Sequence, residues 1–263
     1  MRILFYLAIM ICAAVLLLFV SNATAVSLLT GVIAAPVVAL IDYFLINRSS
    51  INILFASVRH RKTLVRVSVS YMIRIKSRGE YLLIQGSRYP DQFQPIGGVY
   101  KYNPSARDKF TRWGIQSDNL LPIDETSNDD LRIRVPGRHL RAFVAWLKTG
   151  ENREIGAIRE FHEELISTQI ASGLSLSDLR FDYIKQHIHP IRYSDYAQSY
   201  ELLIADIFEF EPRGGIEVFR QNLSKTASDQ DIIWVDRDRI TRRGAEPGKP
   251  HTVKIAQTAE WIL

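Results

Sequence analysis

The sequence predicts an α+β fold in which a mixed β-sheet with a few helices follows an N-terminal pair of apolar helices. Three features of the chain predict it: two long apolar runs at the start, an alternation of apolar and polar residues from about residue 63, and one strong amphipathic helix pattern near the middle. Strands and helices do not alternate regularly after residue 63, which favours α+β over a parallel α/β sheet.

The first 46 residues consist of two apolar runs joined by a short polar connector. Residues 3–20 carry no charged side chain, and residues 26–46 carry only Asp42. A bilayer core of about 30 Å is crossed by about 20 apolar helical residues, so both runs are long enough to span it. We therefore expect a two-span hairpin with a tight turn at residues 21–25. A cleaved signal peptide is the alternative, but the first apolar run is longer than is usual for one.

Basic residues are concentrated directly after the second apolar run. The connector 21–25 has none, whereas the segment 47–62, interpreted as a basic juxtamembrane linker, has Arg48, Arg59, Arg61 and Lys62. Because Lys and Arg favour the cytoplasmic side of a membrane, we expect the C-terminal domain to be cytoplasmic. The single cysteine excludes an intrachain disulfide and a cysteine-based zinc site.

Residues 63–263 have the pattern of one folded domain. The alternating run 63–77, a turn at 78–80 and the apolar run 81–86 predict a β-hairpin. Residues 103–135 are rich in loop-forming side chains. The remaining patterns predict a helix over 137–150 that ends at Gly150, a helix over 151–166, strands over 181–191, 199–211 and 231–236, a short helix or turn over 217–223, and a closing helix within 251–263.

Three carboxylates share one face of the predicted helix 151–166. Glu160 lies three residues before Glu163 and four before Glu164, so in a helix their side chains lie a few ångströms apart. A divalent cation would relieve their mutual repulsion, and Mg²⁺ accepts carboxylate, water and phosphate ligands. The spacing alone fits a solvated acidic face equally well.

The residues around these carboxylates resemble the Nudix box, G-x5-E-x7-R-E-U-x-E-E-x-G-U. Glu151, Arg159 and the three glutamates match every charged position, and Phe161 fills the apolar position between them. The strand that runs into Gly97-Gly98 and the late segment 231–240 are similar to other Nudix segments. The resemblance covers about residues 63–263 and implies a Nudix-like mixed β-sheet/α sandwich.

Two positions depart from the box. Ala145 stands at its first glycine and Ile166 at its second, and about 50 residues separate Gly97-Gly98 from Glu151. We interpret residues 99–149 as an insertion.

The resemblance also implies roles for individual residues. Glu160, Glu163 and Glu164 would bind Mg²⁺, and Glu151, Arg159 and Glu163 would serve hydrolysis of a nucleoside diphosphate linked to another moiety. The insertion is basic and aromatic, which suits a phosphate-and-base ligand as well as it suits a surface near anionic lipids. The candidate ligand-binding residues are Gly97 and Gly98, just before the insertion, and Tyr100 and Arg134 within it. Whether the site hydrolyses its ligand or only binds it stays open, and His187 and His189 are interpreted as ordinary strand residues.

A two-helix hairpin joined to a Nudix-like domain resembles effectors of bacterial cyclic-oligonucleotide-based antiphage signalling (CBASS), whose cytoplasmic part is the SMODS-associated Nudix domain. The resemblance implies an inner-membrane effector that binds a cyclic nucleotide made by a linked nucleotidyltransferase, self-associates and disrupts the membrane. A membrane-tethered Mg²⁺-dependent Nudix hydrolase is the alternative, and a plain membrane scaffold is a third. Direct nucleic-acid binding is not expected.

Overall fold

The computed structural model describes residues 2–86, 90–118, 129–154, 161, 179–226, 231–249 and 253–263. The chain divides into two compact units, Met1–Phe55 and Ala56–Leu263. The described helices are α1 (Arg2–Leu17), α2 (Ala23–Ile46), α3 (Arg48–Arg59), α4 (Arg107–Trp113), α5 (Leu140–Thr149), α6 (Ile216–Thr226) and α7 (Arg237–Thr241). The described strands are β1 (Leu64–Arg74), β2 (Lys76–Ser77), β3 (Glu80–Gln85), β4 (Phe93–Gln94), β5 (Ile96–Val99), β6 (Gln116–Ser117), β7 (Arg132–Pro136), β8 (Phe181–Ile188), β9 (Arg192–Ser194), β10 (Ser199–Phe210) and β11 (Ile232–Val235).

The N-terminal unit contains α1 and α2, which pack against each other. Asn22 begins α2 because its side-chain oxygen accepts the backbone N–H of Thr24 at 2.9 Å and of Ala25 at 3.3 Å. Among the described residues, α2 alone is long and apolar enough to cross a membrane, and the apolar stretch Phe5–Leu17 of α1 is shorter. These helices indicate membrane anchoring, while a second span and a cytoplasmic domain stay predictions.

The larger sheet of the C-terminal unit has seven strands, and β1 lies at its centre. Five of them follow the order β6-β7-β1-β10-β8, while β5 also pairs with β1 and β9 with β10. One edge of β1 pairs in parallel with β10 along nine residues. The other edge pairs with β7 along its first half and with β5 along its second half, both antiparallel. Five alternate residues of β1, which project from one face of the sheet, are fully buried: Val65, Val67, Val69, Tyr71 and Ile73.

The smaller sheet has the order β11-β3-β2, with β4 also paired to β3. Together with the C-terminal 3₁₀ turn Gln257–Ile262 it packs on the face of the larger sheet that carries Ala205 and Ile207. The predicted hairpin is therefore correct only at its tip. β2 pairs with β3 across Arg78 and Gly79, both of which have positive φ, while β1 leaves this hairpin for the larger sheet.

The α+β prediction is confirmed, and the local differences have physical reasons. The segment expected to be a linker forms α3, because apolar residues recur in it at helical spacing. The loop-rich segment 103–135 contains α4, β6 and β7, and β7 belongs to the larger sheet. Residues 151–154 are not helical, since Asn152 has φ of 59° and Arg153 forms a bridge with Tyr102. A 3₁₀ turn replaces the closing helix.

Candidate functional site

Of the residues that match the Nudix-like box, the structure describes two, Glu151 and Phe161. Arg159, Glu160, Glu163 and Glu164 lie outside the described residues, so their catalytic and metal-binding roles stay predictions. Among the residues that are described, no group of three His, Cys, Asp or Glu side chains could hold a metal ion.

Glu151, the first charged position of the box, follows directly after α5 ends. Gly150 has φ of 72° and ends the helix, as the sequence predicted. The backbone N–H of Glu151 donates to Oγ1 of Thr149 at 3.2 Å, and the residue is exposed to solvent. A carboxylate in this position is accessible to a ligand or to a hydrated cation.

Phe161 fixes the middle of the box against the larger sheet. It is helical and fully buried, with ring centroids 5.3 Å from Phe181 on β8 and 4.6 Å from Phe210 on β10. The apolar position of the motif is therefore a packing position, which explains why an aromatic residue stands among charged ones.

A buried polar cluster lies beside the start of the box. Tyr100 Oη donates to Oδ2 of Asp206 at 3.0 Å, and Gln186 Nε2 donates to Oδ1 at 2.9 Å. The guanidinium of Arg153 lies 4.0 Å from the same carboxylate and 4.6 Å from the centre of the Tyr100 ring. We call these four residues the Asp206 cluster. The buried carboxylate accepts two hydrogen bonds and has a guanidinium nearby, as a buried polar group requires.

The Asp206 cluster assembles because Asp206 and Gln186 lie in one row across the larger sheet. Asp206 pairs with Tyr71 on one side and with Gln186 on the other, and Tyr71 pairs with Gly98. Paired residues project from the same face of a sheet. Tyr100, two residues beyond Gly98, joins that face, and its ring contacts Tyr71 at 4.8 Å between centroids.

Arg153 connects this cluster to the box. Its side chain donates to the backbone oxygen of Leu147 at 3.1 Å and of Glu154 at 3.0 Å. On either side of it, Asn103 N–H donates to the Asn152 oxygen at 2.9 Å and Glu154 N–H to the Lys101 oxygen at 2.8 Å. Residues 152–154 of the box are thereby tied to the rest of the domain by both backbone and side chain.

The environment of Tyr100 keeps its hydroxyl a neutral donor. Burial is the main cause and the Asp206 carboxylate adds to it, and together they raise the pKa of Tyr100 far above its ordinary value. Burial and the same carboxylate also raise the pKa of Tyr183 on β8. Tyr100 therefore donates to Asp206 at any physiological pH.

A second charged cluster lies on the opposite face of the larger sheet. Arg66 donates to Oδ2 of Asp118 at 2.6 Å and to Oε2 of Glu201 at 3.0 Å. Arg134 donates to Oδ1 of Asp118 at 3.2 Å. Burial by itself would lower the pKa of Arg66, but the two carboxylates outweigh it and raise that pKa. We call these four residues the Arg66 cluster.

The structure separates the candidate ligand-binding residues. Tyr100 belongs to the Asp206 cluster, whereas Arg134 belongs to the Arg66 cluster on the other face. Gly97 has a packing role, because a Cβ there would overlap with the carbonyl oxygen of Tyr71. The four residues do not form one pocket, and their binding of a ligand stays a prediction.

Sequence reasoning missed the acceptor at the centre of this arrangement. Asp206 interrupts the apolar strand LLIADIF, and an acidic residue in a buried strand is itself a signal that it has partners. Arg153 carried no comparable signal, since the two residues that place it in the cluster, Tyr100 and Asp206, lie far away in the chain.

The C-terminal unit is a mixed α+β domain, and Glu151 and Phe161 hold two positions of the Nudix-like box in it. The family profile described as the SMODS-associated NUDIX domain matches residues 64–263, and the chain belongs to this family. Association with SMODS implies a functional link to a nucleotidyltransferase and its nucleotide signal. The comparison with curated proteins gave no match.

Proposed function

We propose that this protein is a membrane-anchored CBASS effector whose Nudix-like domain binds a cyclic nucleotide and whose apolar helices then assemble and disrupt the membrane. One observation carries the proposal: a SMODS-associated NUDIX domain follows an apolar helix pair in the same chain. A hydrolase with soluble substrate and products needs no such anchor. An effector that acts on the bilayer does need a membrane anchor.

A nucleotide can drive assembly only by binding the assembled state more tightly than the resting state. The box is a suitable receiver, because its first residues are tied to the core of the larger sheet through Arg153 and Asp206. A ligand that contacts residues 151–154 would therefore act on a segment with few independent motions, so that little binding energy is lost in ordering it.

The test is leakage from vesicles that hold the full chain and a self-quenching dye. Cyclic dinucleotides and trinucleotides are added one at a time, with the corresponding linear nucleotides as controls. We expect one cyclic nucleotide to release the dye and its linear form to release little. Absence of leakage with every cyclic nucleotide, from vesicles in which insertion of the chain has been verified, would contradict the proposal.

A variant separates signal binding from membrane action. Arg153→Met removes the charge that ties the box to Asp206 and retains an apolar side chain. It should need a higher nucleotide concentration for the same leakage, whereas the exposed Arg213→Met should not. Equal responses of the two variants would show that the box does not receive the signal.

Mg²⁺-dependent hydrolysis is the second candidate function. It is supported by the complete set of charged box residues and by the burial of Phe161 at the apolar position. The full chain in detergent is incubated with Mg²⁺ and nucleoside diphosphates linked to sugars, nucleosides or lipids. Turnover should cease with EDTA.

Variants of the box test whether such turnover belongs to it. Glu163→Gln and Glu164→Gln should lower turnover by more than the 10- to 100-fold that is roughly typical for residues behind a metal ligand. The exposed Glu211→Gln serves as the matched control. If no substrate is turned over, or if the box variants match the control, the chain is not a hydrolase of this class.

A further inference from the structure

Helix α3 has one face that belongs to the C-terminal unit. Within that unit, Ser57 Oγ donates to the Gly137 oxygen at 2.8 Å, and the His60 ring, one residue beyond the helix, lies 3.9 Å from that of Tyr200. Ala56 on the same face is 7% exposed. This face needs no additional partner.

A second apolar face of α3 is exposed. Phe55 is 69%, Val58 68% and Leu54 41% exposed, and Ile51 is half-buried. These four residues follow the spacing i, i+3, i+4, i+7, and at 3.6 residues per turn they occupy an arc of about 100°. We call them the outer stripe. Three large apolar side chains on one short helix form a patch rather than scattered exposure.

Basic residues border the outer stripe on one side. On a helical wheel Arg48 and Arg59 lie about 20° and 40° beyond Phe55, and Arg61 and Lys62 follow the helix. All four are exposed. Although the chain has 28 acidic residues, none occurs between Asp42 and Glu80. This helix therefore carries an uncompensated positive charge next to an apolar surface.

Its position in the chain limits what can cover the outer stripe. α2, the helix of membrane-spanning length, ends at Ile46 with Asn47 as its cap, and α3 begins at Arg48. With α2 in a bilayer, the 12 residues of α3 begin within one residue of its end. At about 1.5 Å per residue α3 extends about 18 Å from that point.

We propose that α3 is an interfacial helix that binds the surface of an anionic bilayer. Leu54, Phe55 and Val58 enter the boundary between headgroups and acyl chains, and the basic residues bind lipid phosphates. Amphipathic helices with Lys or Arg beside aromatic and aliphatic residues bind membranes in this way, about 5–10 Å deep. The inference rests on the part of the proposed function that places α2 in a bilayer, and not on the nucleotide response.

A second copy of the chain fits the outer stripe less well. A two-fold contact through this stripe would bring the same basic residues of two copies together, with no acidic residue of the segment to neutralise them. Anionic lipid headgroups supply the missing negative charge, so charge complementarity favours the bilayer.

Site-directed spin labelling of the full chain tests the inference. Cys12 is the single cysteine, so a Cys12→Ser background gives single labelling sites. Labels are placed at Phe55→Cys and Val58→Cys in the outer stripe, at Ser49→Cys as the exposed control on another face of α3, and at Val38→Cys within α2. The chain is reconstituted in phosphatidylcholine vesicles with or without phosphatidylglycerol, and relaxation by oxygen and by a water-soluble nickel complex is measured.

The inference requires a several-fold higher oxygen-to-nickel accessibility ratio at positions 55 and 58 than at position 49. Arg61→Gln with Lys62→Gln, at exposed positions, should lower that ratio only in vesicles that contain phosphatidylglycerol. Circular dichroism in the near ultraviolet confirms that each variant is folded.

Each other outcome overturns the inference. Water-accessible labels at 55 and 58, with the Val38 label in the bilayer, would refute it and leave the anchor intact. Spin–spin broadening at position 55 that unlabelled chain removes would assign the outer stripe to a second copy. A Val38 label in water would overturn the inference together with the membrane part of the proposed function.

Discussion

Tyr100 donates a hydrogen bond to Asp206 across 106 residues of sequence, at 3.0 Å and in the interior of the C-terminal unit. The bond joins the end of β5 to the middle of β10, next to Arg153 of the Nudix-like box. Because Arg153 stacks on the tyrosine ring and lies near the carboxylate, the same pair of residues holds residues 151–154 of the box against the sheet.

Tyr100→Phe should destabilise the domain. The substitution keeps the ring beneath Arg153 but removes a hydroxyl donor from a buried carboxylate, which costs about 1–3 kcal/mol. The measurement is the free energy of unfolding in denaturant, on the full chain in detergent. Tyr183→Phe is the control, since that side chain is 57% exposed, and it should change little. Equal losses in the two variants would mean that the Tyr100 hydroxyl contributes nothing specific.

Gly97→Ala should disrupt the pairing of β5 with β1. The new Cβ overlaps with the carbonyl oxygen of Tyr71, which is backbone in a central strand and has no room to move. Overpacking of this kind costs about 1–3 kcal/mol or more. Gly214→Ala is the matched control, because nothing lies within 4 Å of a Cβ at that position. Thermal unfolding of both variants gives the comparison, and a wild-type melting temperature for Gly97→Ala would contradict the prediction.

Asp118→Asn should weaken the Arg66 cluster. The carboxylate accepts from both Arg66 and Arg134, and its side chain is 2% exposed, so the variant leaves buried positive charge only partly compensated. Removing one partner of a buried ion pair costs about 3 kcal/mol or more. Asp238→Asn, from an exposed pair with Arg242, should have little effect.

Salt provides an independent check on that pair of variants. The contribution of Asp118 should persist at high ionic strength, since buried charges are poorly screened. If unfolding measurements show that salt abolishes the difference between Asp118→Asn and the wild type, the cluster is solvated rather than buried.

Acidification should destabilise the domain through His187. Burial, followed by the charges of His189 and Lys185, lowers the pKa of His187 below 6.5. In the pH range between the folded pKa and about 6.5, the folded state therefore binds fewer protons than the unfolded state. The stabilisation is therefore complete above pH of about 6.5 and is lost as the pH falls towards the folded pKa.

His187→Phe removes this titration and keeps a ring against Trp261, whose centroid lies 4.6 Å from that of His187. The variant should lose less unfolding free energy than the wild type on acidification, and NMR titration of the imidazole reports the pKa directly. An imidazole pKa of His187 at or above 6.5 in the folded chain would contradict the prediction.

The sequence by itself determined the features that depend on local pattern. Two apolar runs predicted α1 and α2, the αL preference of Gly150 predicted the end of α5, and the residue patterns of 181–191 and 199–211 predicted β8 and β10. The spacing of Glu151, Arg159 and the three glutamates identified the family that the profile over residues 64–263 confirms. Each of these signals lies within one element or one motif, where neighbouring residues alone set the periodicity.

Tertiary structure decided which distant residues meet. β1 pairs in parallel with β10, so that Arg66 lies opposite Glu201, which comes 135 residues later in the chain. β1 does not pair with β2, the strand that follows it. That pairing places Tyr100 beside Asp206 and puts Arg134 on the opposite face. The reason is physical: strand partners are chosen by which faces can be buried together, and alternation within one strand is the same whichever neighbour it has.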